Sequence, residues 1–256
     1  MLWSSLNQAL AADVVLPPPQ TQGGAGLFDT LKKRSSLSGG DFSPLAEVSL
    51  EELSTVLWAA SGLNRGQKGW TVPMARGLPP YATIFVAGNQ GLFRYDWVEH
   101  KLVEISGENV KDQLGGQSFV KKAFYVLIFV SEKSVFAQAK SDHHGRERYG
   151  HGPGEEPRGG EDKAFVGKVS DANQGQERPE GRGPDGREPE GRGPRLDRFD
   201  AFVHVLVGAM TQDAYLAAAS LGLGARYIHQ MKTSNIEKLV PIAPGDYPVA
   251  LMMLGK

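Results

Sequence analysis

From about Ala139 to Arg198 the chain carries almost no apolar side chains outside the short run KAFVGKV, and Gly, Pro, Arg, Glu and Asp dominate. The hexapeptide PEGRGP occurs twice between Pro179 and Pro194. Such a stretch cannot bury enough apolar surface to offset an ordering cost of about 1–2 kcal/mol per residue for the backbone alone. Residues 139–198 are therefore predicted to be a disordered insertion, and any core must be assembled from the sequence on either side. Between Ser141 and Arg198 there are 11 Lys+Arg against 13 Asp+Glu, so no basic excess is present to hold nucleic-acid phosphates. Glycine does not recur at every third position, which excludes a collagen triple helix. His143, His144 and His151 lie in a Gly-rich run. A metal site needs fixed geometry and ordered outer partners, so no metal is expected.

The flanking sequence has the character of a folded protein. The chain has 256 residues, 40% hydrophobic, a formal net charge of −1 and no cysteine. That balance gives no field to draw it to nucleic acid or anionic lipid, and it excludes disulfides, thiolate zinc sites and a cysteine nucleophile. No apolar run approaches the roughly 18 residues of a membrane-spanning helix. Residues 1–25 read as an extended arm in which VLPPPQTQGGAG favours polyproline II. Within it, residues 1–12 end in a small-x-small pattern like the end of an export signal. They lack the basic start and longer apolar core such a signal carries. A cytoplasmic protein is expected, with periplasmic export as the alternative.

Hydrophobic periodicity supplies the elements. GLFDTLKKR has helical spacing with basic residues in its last turn. SLEELSTVLWAASGL is a stronger helix: Ser49 and Glu52 form a capping box, Leu50, Leu53, Leu57 and Ala60 make one stripe, and Gly62 closes it. YATIFVAG and FYVLIFVSE read as buried strands, with GLFRYDWVEHKLVEI as a hairpin between them. FVHVLVGAMTQDAYLAAASLGLG is apolar on nearly every face and is predicted to be a buried helix ended by Gly222 and Gly224. ARYIHQM reads as a strand, SNIEKLV as a helix with a second capping box (Ser234, Glu237), and DYPVALMMLGK as a final strand.

In this order, seven segments resemble the nitroreductase family of FMN flavoproteins, nearest to its SagB-type branch of azoline (thiazole/oxazole) dehydrogenases. They are LPPPQTQGG, LKKRSS, SLEELSTVLWAASGLNR, GLFRYDWVEHKLV, GQSFVKKAFYVLIFVSE, AYLAAASLGLGARYI and APGDYPVALMMLGK. The resemblance covers most of residues 14–138 and 199–256. It implies an α+β fold in which residues 26–138 and 199–256 form a single domain, with a mixed, largely antiparallel sheet flanked by helices. It also implies an intertwined homodimer holding two FMN at the subunit interface.

The same resemblance suggests roles for particular residues. An FMN phosphate needs cationic and hydroxyl donors, and the family pattern Arg-x-Ser-x-basic falls on Arg34, Ser36 and Ser38, the last without a charge. Lys256 is the second cationic candidate. The flavin-ring loop falls on Pro73, Met74, Ala75, Arg76 and Gly77, where Met74 replaces a serine and Arg76 a glycine. Arg76 is open to two readings, a contact to the flavin's pyrimidine edge or a degraded site. On the long helix, Gly208 and Gln212 match positions packed at the dimer interface near the flavin, and Asp213 replaces an asparagine. His229 and Gln230 fall where a Gly-Gly pair presents backbone N–H groups to the ring. RERYG places Tyr149 on the tyrosine of a Lys-Tyr catalytic pair, with Arg148 in place of the lysine. Tyr149 and His229 are the candidate catalytic side chains. Arginine stays protonated at ordinary pH, which counts against azoline oxidation.

These matches imply an FMN-dependent oxidoreductase that transfers hydride through flavin N5 in a ping-pong reaction, with NAD(P)H as donor and a small-molecule or peptide substrate. Two alternatives accompany it: a non-catalytic, degenerate relative serving as an interaction or flavin-binding protein, and an azoline dehydrogenase acting on a peptide.

Overall fold

The computed structural model describes residues 12–43, 46–66, 69–74, 79–137 and 198–256. Seven strands make up one sheet: β1 (Val14–Val15), β2 (Ala82–Gly88), β3 (Gly91–Asp96), β4 (Lys101–Ser106), β5 (Tyr125–Ser131), β6 (Gly224–Ile228) and β7 (Pro248–Gly255). The helices that accompany them include α1 (Leu27–Lys33), α2 (Leu50–Ser61), α3 (Arg198–Ser220) and α4 (Thr233–Leu239). The strand order is β1-β4-β3-β2-β5-β7-β6. Every pairing between these strands is antiparallel, in keeping with the largely antiparallel sheet expected. The predicted insertion 139–198, apart from the first helical residue Arg198, lies outside the described residues. So do the signal-like start up to residue 11 and the ring-loop positions Ala75 and Arg76.

The sheet is buried on both faces, which is why its central strands read as unbroken apolar runs. Along β5, Tyr125, Leu127 and Phe129 face one core, while Val126, Ile128 and Val130 face the other. β7 alternates in the same way, with Ala250, Met252 and Leu254 on the first side and Leu251 and Met253 on the second. Side chains alternate across a strand, so a strand between two cores has no polar face. Each fully buried side chain of this size contributes about 1.5–3 kcal/mol. The first core is covered by α2 and α3. The second is closed by Phe42, Val110, Leu114 and Val120 together with Ile236 and Val240 around α4.

The capping box of α2 forms as its sequence dictates. Glu52 N–H donates to Ser49 Oγ at 3.2 Å, and Ser49 N–H donates to Glu52 Oε2 at 2.8 Å. Leu53, Leu57 and Ala60 are fully buried, whereas Leu50 at the helix start is 40% exposed, and Val56 joins the core instead. The second predicted box does not form. Helix α4 starts one residue before Ser234, on Lys232 as N-cap, because Asn235 and Ile236 N–H groups both donate to Lys232 O. Ser234 is thereby drawn inside the first turn.

Helix α3 also departs from expectation. Val203, Leu206, Val207, Met210, Ala214 and Ala218 are buried, yet Ala201, Phe202, Val205, Gly208 and Gln212 are exposed. Gly222 ends the helix with φ 74°, the left-handed conformation glycine adopts without strain.

Candidate functional site

Strand β6 is the sheet's edge, and its free side gathers several of the candidate residues. In an antiparallel ladder, alternate residues turn their backbone groups toward and away from the partner strand. Ala225, Tyr227 and His229 turn theirs away from β7. The first outward group, Ala225 O, accepts from Leu37 N–H at 3.0 Å. The second, Tyr227 N–H, donates to Tyr215 Oη at 2.6 Å. For the third, His229 N–H, no hydrogen-bond partner occurs among the described residues.

The segment after α1 is laid along this edge. Arg34 caps the helix, its N–H bonded to Thr30 O at 2.8 Å. Its guanidinium carbon lies 5.4 Å from the Tyr215 ring centroid, within the range of a cation–π contact. Ser36 Oγ is 3.0 Å from Tyr215 Oη. One buried tyrosine of α3 thus fixes Arg34, Ser36 and the latter part of β6 together. Arg226 adds a second tie, donating from Nη1 to Leu37 O at 3.0 Å and lying over Phe119 at 5.2 Å. Ser38 is exposed in the turn that follows, where its carbonyl accepts from Asp41 N–H at 3.0 Å. The buried Gly39 rests against the Phe119 ring so closely that no side chain fits there.

Lys256 follows β7, whose Gly255 pairs with Gly224 at the beginning of β6. By strand alternation it falls on the same side of the sheet as α2 and α3. Its ammonium is not free: it pairs with Glu52 at 2.9 Å, the glutamate of the α2 capping box.

The other end of β6 leads to His229 and Gln230, both exposed. Gln230 is anchored there, its carbonyl accepting from Gly116 N–H at 3.0 Å and its Oε1 from Gln117 Nε2 at 2.9 Å. The other amide atom of Gln117, Oε1, is buried without a partner among the described residues.

The remaining candidates stand apart. Met74 packs against the edge of the first core. Gln212 is exposed on α3, and Asp213 beside it is half-buried, its carboxyl raised above the usual range by burial. Ala75, Arg76 and Tyr149 lie outside the described residues. Tyr215 was not singled out by sequence reasoning. In AYLAAAS it reads as one more apolar helix residue, and its contact with Ser36 spans 179 positions.

The architecture is a nitroreductase-like fold: an antiparallel seven-stranded sheet flanked by helices. Residues 184–256 match the Nitroreductase family. A protein of Methanocaldococcus jannaschii named "Putative nitroreductase MJ1384" is 26% identical over 239 residues, 90% of each chain. A crystal structure of a Ralstonia eutropha JMP134 protein of the same description superposes with a TM-score of 0.62 at 24% identity, covering 96% of this chain and 90% of that one. A chain of the Escherichia coli microcin synthetase McbBCD complex, solved with truncated pro-MccB17 bound, gives a TM-score of 0.56 at 14% identity, covering 100% and 82%. The matched segment and the Methanocaldococcus relative both carry the nitroreductase description, and the superposed structures share the fold.

Proposed function

We propose that this protein is an FMN-dependent oxidoreductase that works as a homodimer and accepts electrons from NAD(P)H. The observation that carries this reading is the cluster of groups along the outer side of β6. Arg34 and Ser36, a cation and a hydroxyl suited to a phosphate, are gathered by Tyr215 beside Tyr227, and the His229 N–H, without a partner among the described residues, lies two residues further on. The residues present fit the group: Arg34 and Ser36 would hold its phosphate, and the main chain at His229 would donate to its ring. When bound, FMN supplies a ring that takes up and releases hydride. The protein's own part is to hold, orient and limit access. The exposed His229 and Gln230 side chains narrow the space a substrate enters, and the Gln117 amide fixes Gln230 in place.

The purified protein is expected to be yellow and to bleach on addition of NADH or NADPH. Arg34→Ala and Ser36→Ala should each weaken FMN binding about tenfold or more, the cost of a charge-assisted hydrogen bond. A colourless protein that fails to take up added FMN would sink the proposal.

The pairing of Lys256 with Glu52, the uncharged Ser38 and the core packing of Met74 favour a second reading. In it the chain binds flavin or a partner without turnover. Bound FMN that neither nicotinamide cofactor reduces would select it. The azoline-dehydrogenase reading rests on Tyr149. Oxidation of thiazoline rings in a peptide by the flavin-loaded protein, lost in Tyr149→Phe, would establish it.

A further inference from the structure

A cavity of about 470 Å³ lies between α2 and α3, beneath the N-terminal arm. That volume is typical of sites for small organic molecules. Neither Arg34 nor Ser36 lines it, so it is separate from the proposed flavin edge.

Its roof is the backbone of residues 20–25, pinned at both ends. Gln20 N–H donates to Thr55 Oγ1 at 2.9 Å, and Ala25 N–H donates to Ser220 Oγ at 3.2 Å. Between these anchors Gly23 and Gly24 take φ values of 77° and 80°. A Cβ on Gly24 would come within 2.6 Å of Ser220 Oγ. Side chains other than glycine are strained in that conformation, so the arm's path over the cavity is written into its sequence.

The walls use up most of their hydrogen-bonding groups internally. Trp58 Nε1 donates to Leu63 O at 2.8 Å, and Thr71 Oγ1 to Trp58 O at 3.2 Å. Thr55 Oγ1 donates to Glu51 O at 2.8 Å. One charged group is left over. The carboxylate of Asp213 lines the cavity, and no hydrogen bond or ion pair reaches it among the described residues. Among the described residues, no Lys or Arg lines the cavity. A half-buried carboxylate without a counter-charge is held at a cost, which a cationic ligand offsets. Trp58, Leu216 and Leu221 offer an aromatic and apolar surface for the rest of that ligand.

We propose that this cavity is a second binding site, for an organic cation: a protonated amine on an aromatic or apolar body, with its ammonium on Asp213 and its body against Trp58.

The test uses the full chain and three probes of one shape: tryptamine, its neutral analogue tryptophol, and the anion indole-3-propionate. Binding is read by calorimetry and by ligand-observed NMR. Tryptamine should bind about tenfold or more tightly than tryptophol, the difference made by a hydrogen bond to a charged group. Indole-3-propionate should not bind. Asp213→Asn keeps the shape and should erase the preference for tryptamine, while Ala217→Leu, which fills the cavity, should abolish binding of both. Thermal melts of each variant verify that it is folded. Equal binding of tryptamine and tryptophol to the wild type, a preference that survives in Asp213→Asn, or no binding of tryptamine at all would each overturn the assignment.

Discussion

His100 shows how a single residue ties the arm to the body. It sits in the β3–β4 turn with φ 49°, an uncommon conformation for a residue with a side chain. Its Nε2 lies 2.7 Å from Ser54 Oγ, and its Nδ1 lies 2.9 Å from Tyr95 Oη. Ser54 in turn donates to Pro17 O at 2.6 Å, and His100 O accepts from Leu16 N–H at 3.2 Å. With the Ser54 proton committed to Pro17, the neutral ring donates from Nε2 and accepts at Nδ1 from the tyrosine. Burial lowers the imidazole's pKa below its ordinary 6.5. The unfolded chain therefore binds the proton more readily, and stability falls as pH drops from 6.5 toward the folded value. Urea titrations should show that loss in the wild type and much less of it in His100→Ala. That variant should also be about 1–3 kcal/mol less stable at pH 8, through the orphaned Tyr95 hydroxyl and the Ser54 oxygen that loses its donor. An unchanged acid profile in His100→Ala would place the acid sensitivity elsewhere.

Among the elements, α2 joins local sequence to the rest of the molecule. Its cap glutamate also holds Lys256, so one carboxylate serves a helix start and the end of the last strand. Ser49→Ala should cost about 1 kcal/mol in urea titrations, the usual price of an N-cap. A change within error would show that the box is redundant to tertiary packing. The legibility of the elements followed their burial. β2, β5 and β7 could be read from sequence because being covered on both faces leaves an unbroken apolar run. β1 is two valines inside a stretch dominated by its prolines, and only its pairing with Leu102 and Lys101 makes it a strand. The start of α4 was misplaced because Ser234 and Glu237 satisfy the local pattern, while Lys232 is tied to Leu114 O at 2.8 Å from far along the chain. The site was less legible than the fold. Arg34 and Ser36 could be found by their spacing within a resemblance. The tyrosine that organises them, the glutamate that holds Lys256 and the free N–H at His229 are long-range facts with no local pattern.

For the molecule as a whole, the exposed apolar residues of α1 and α3 are surface that the proposed homodimer would cover. Helix α1 exposes Leu27, Phe28 and Leu31 at 62%, 84% and 45%, and α3 exposes Phe202 and Val205 at 43% and 73%. Exposed apolar surface on this scale marks an interaction site, and the homodimer of the proposed function accounts for it. Sedimentation should show a dimer, and Val205→Asp should shift it toward monomer with lower FMN content. A wild type that sediments as a monomer would remove this part of the proposal. No helix among the described residues is long and apolar enough to cross a membrane.

The position of β7 in the sheet has a consequence for how the protein is made. It is the last strand along the chain, yet it lies between β5 and β6. Until Pro248–Gly255 have cleared the ribosome, the strand that presents the proposed flavin edge has no neighbour to join. A nascent chain stalled before that point would hold β2 to β5 with β5 as an open edge, and the helper it then needs is one that shields strand edges. Loading of the proposed cofactor would have to wait until β7 is in place.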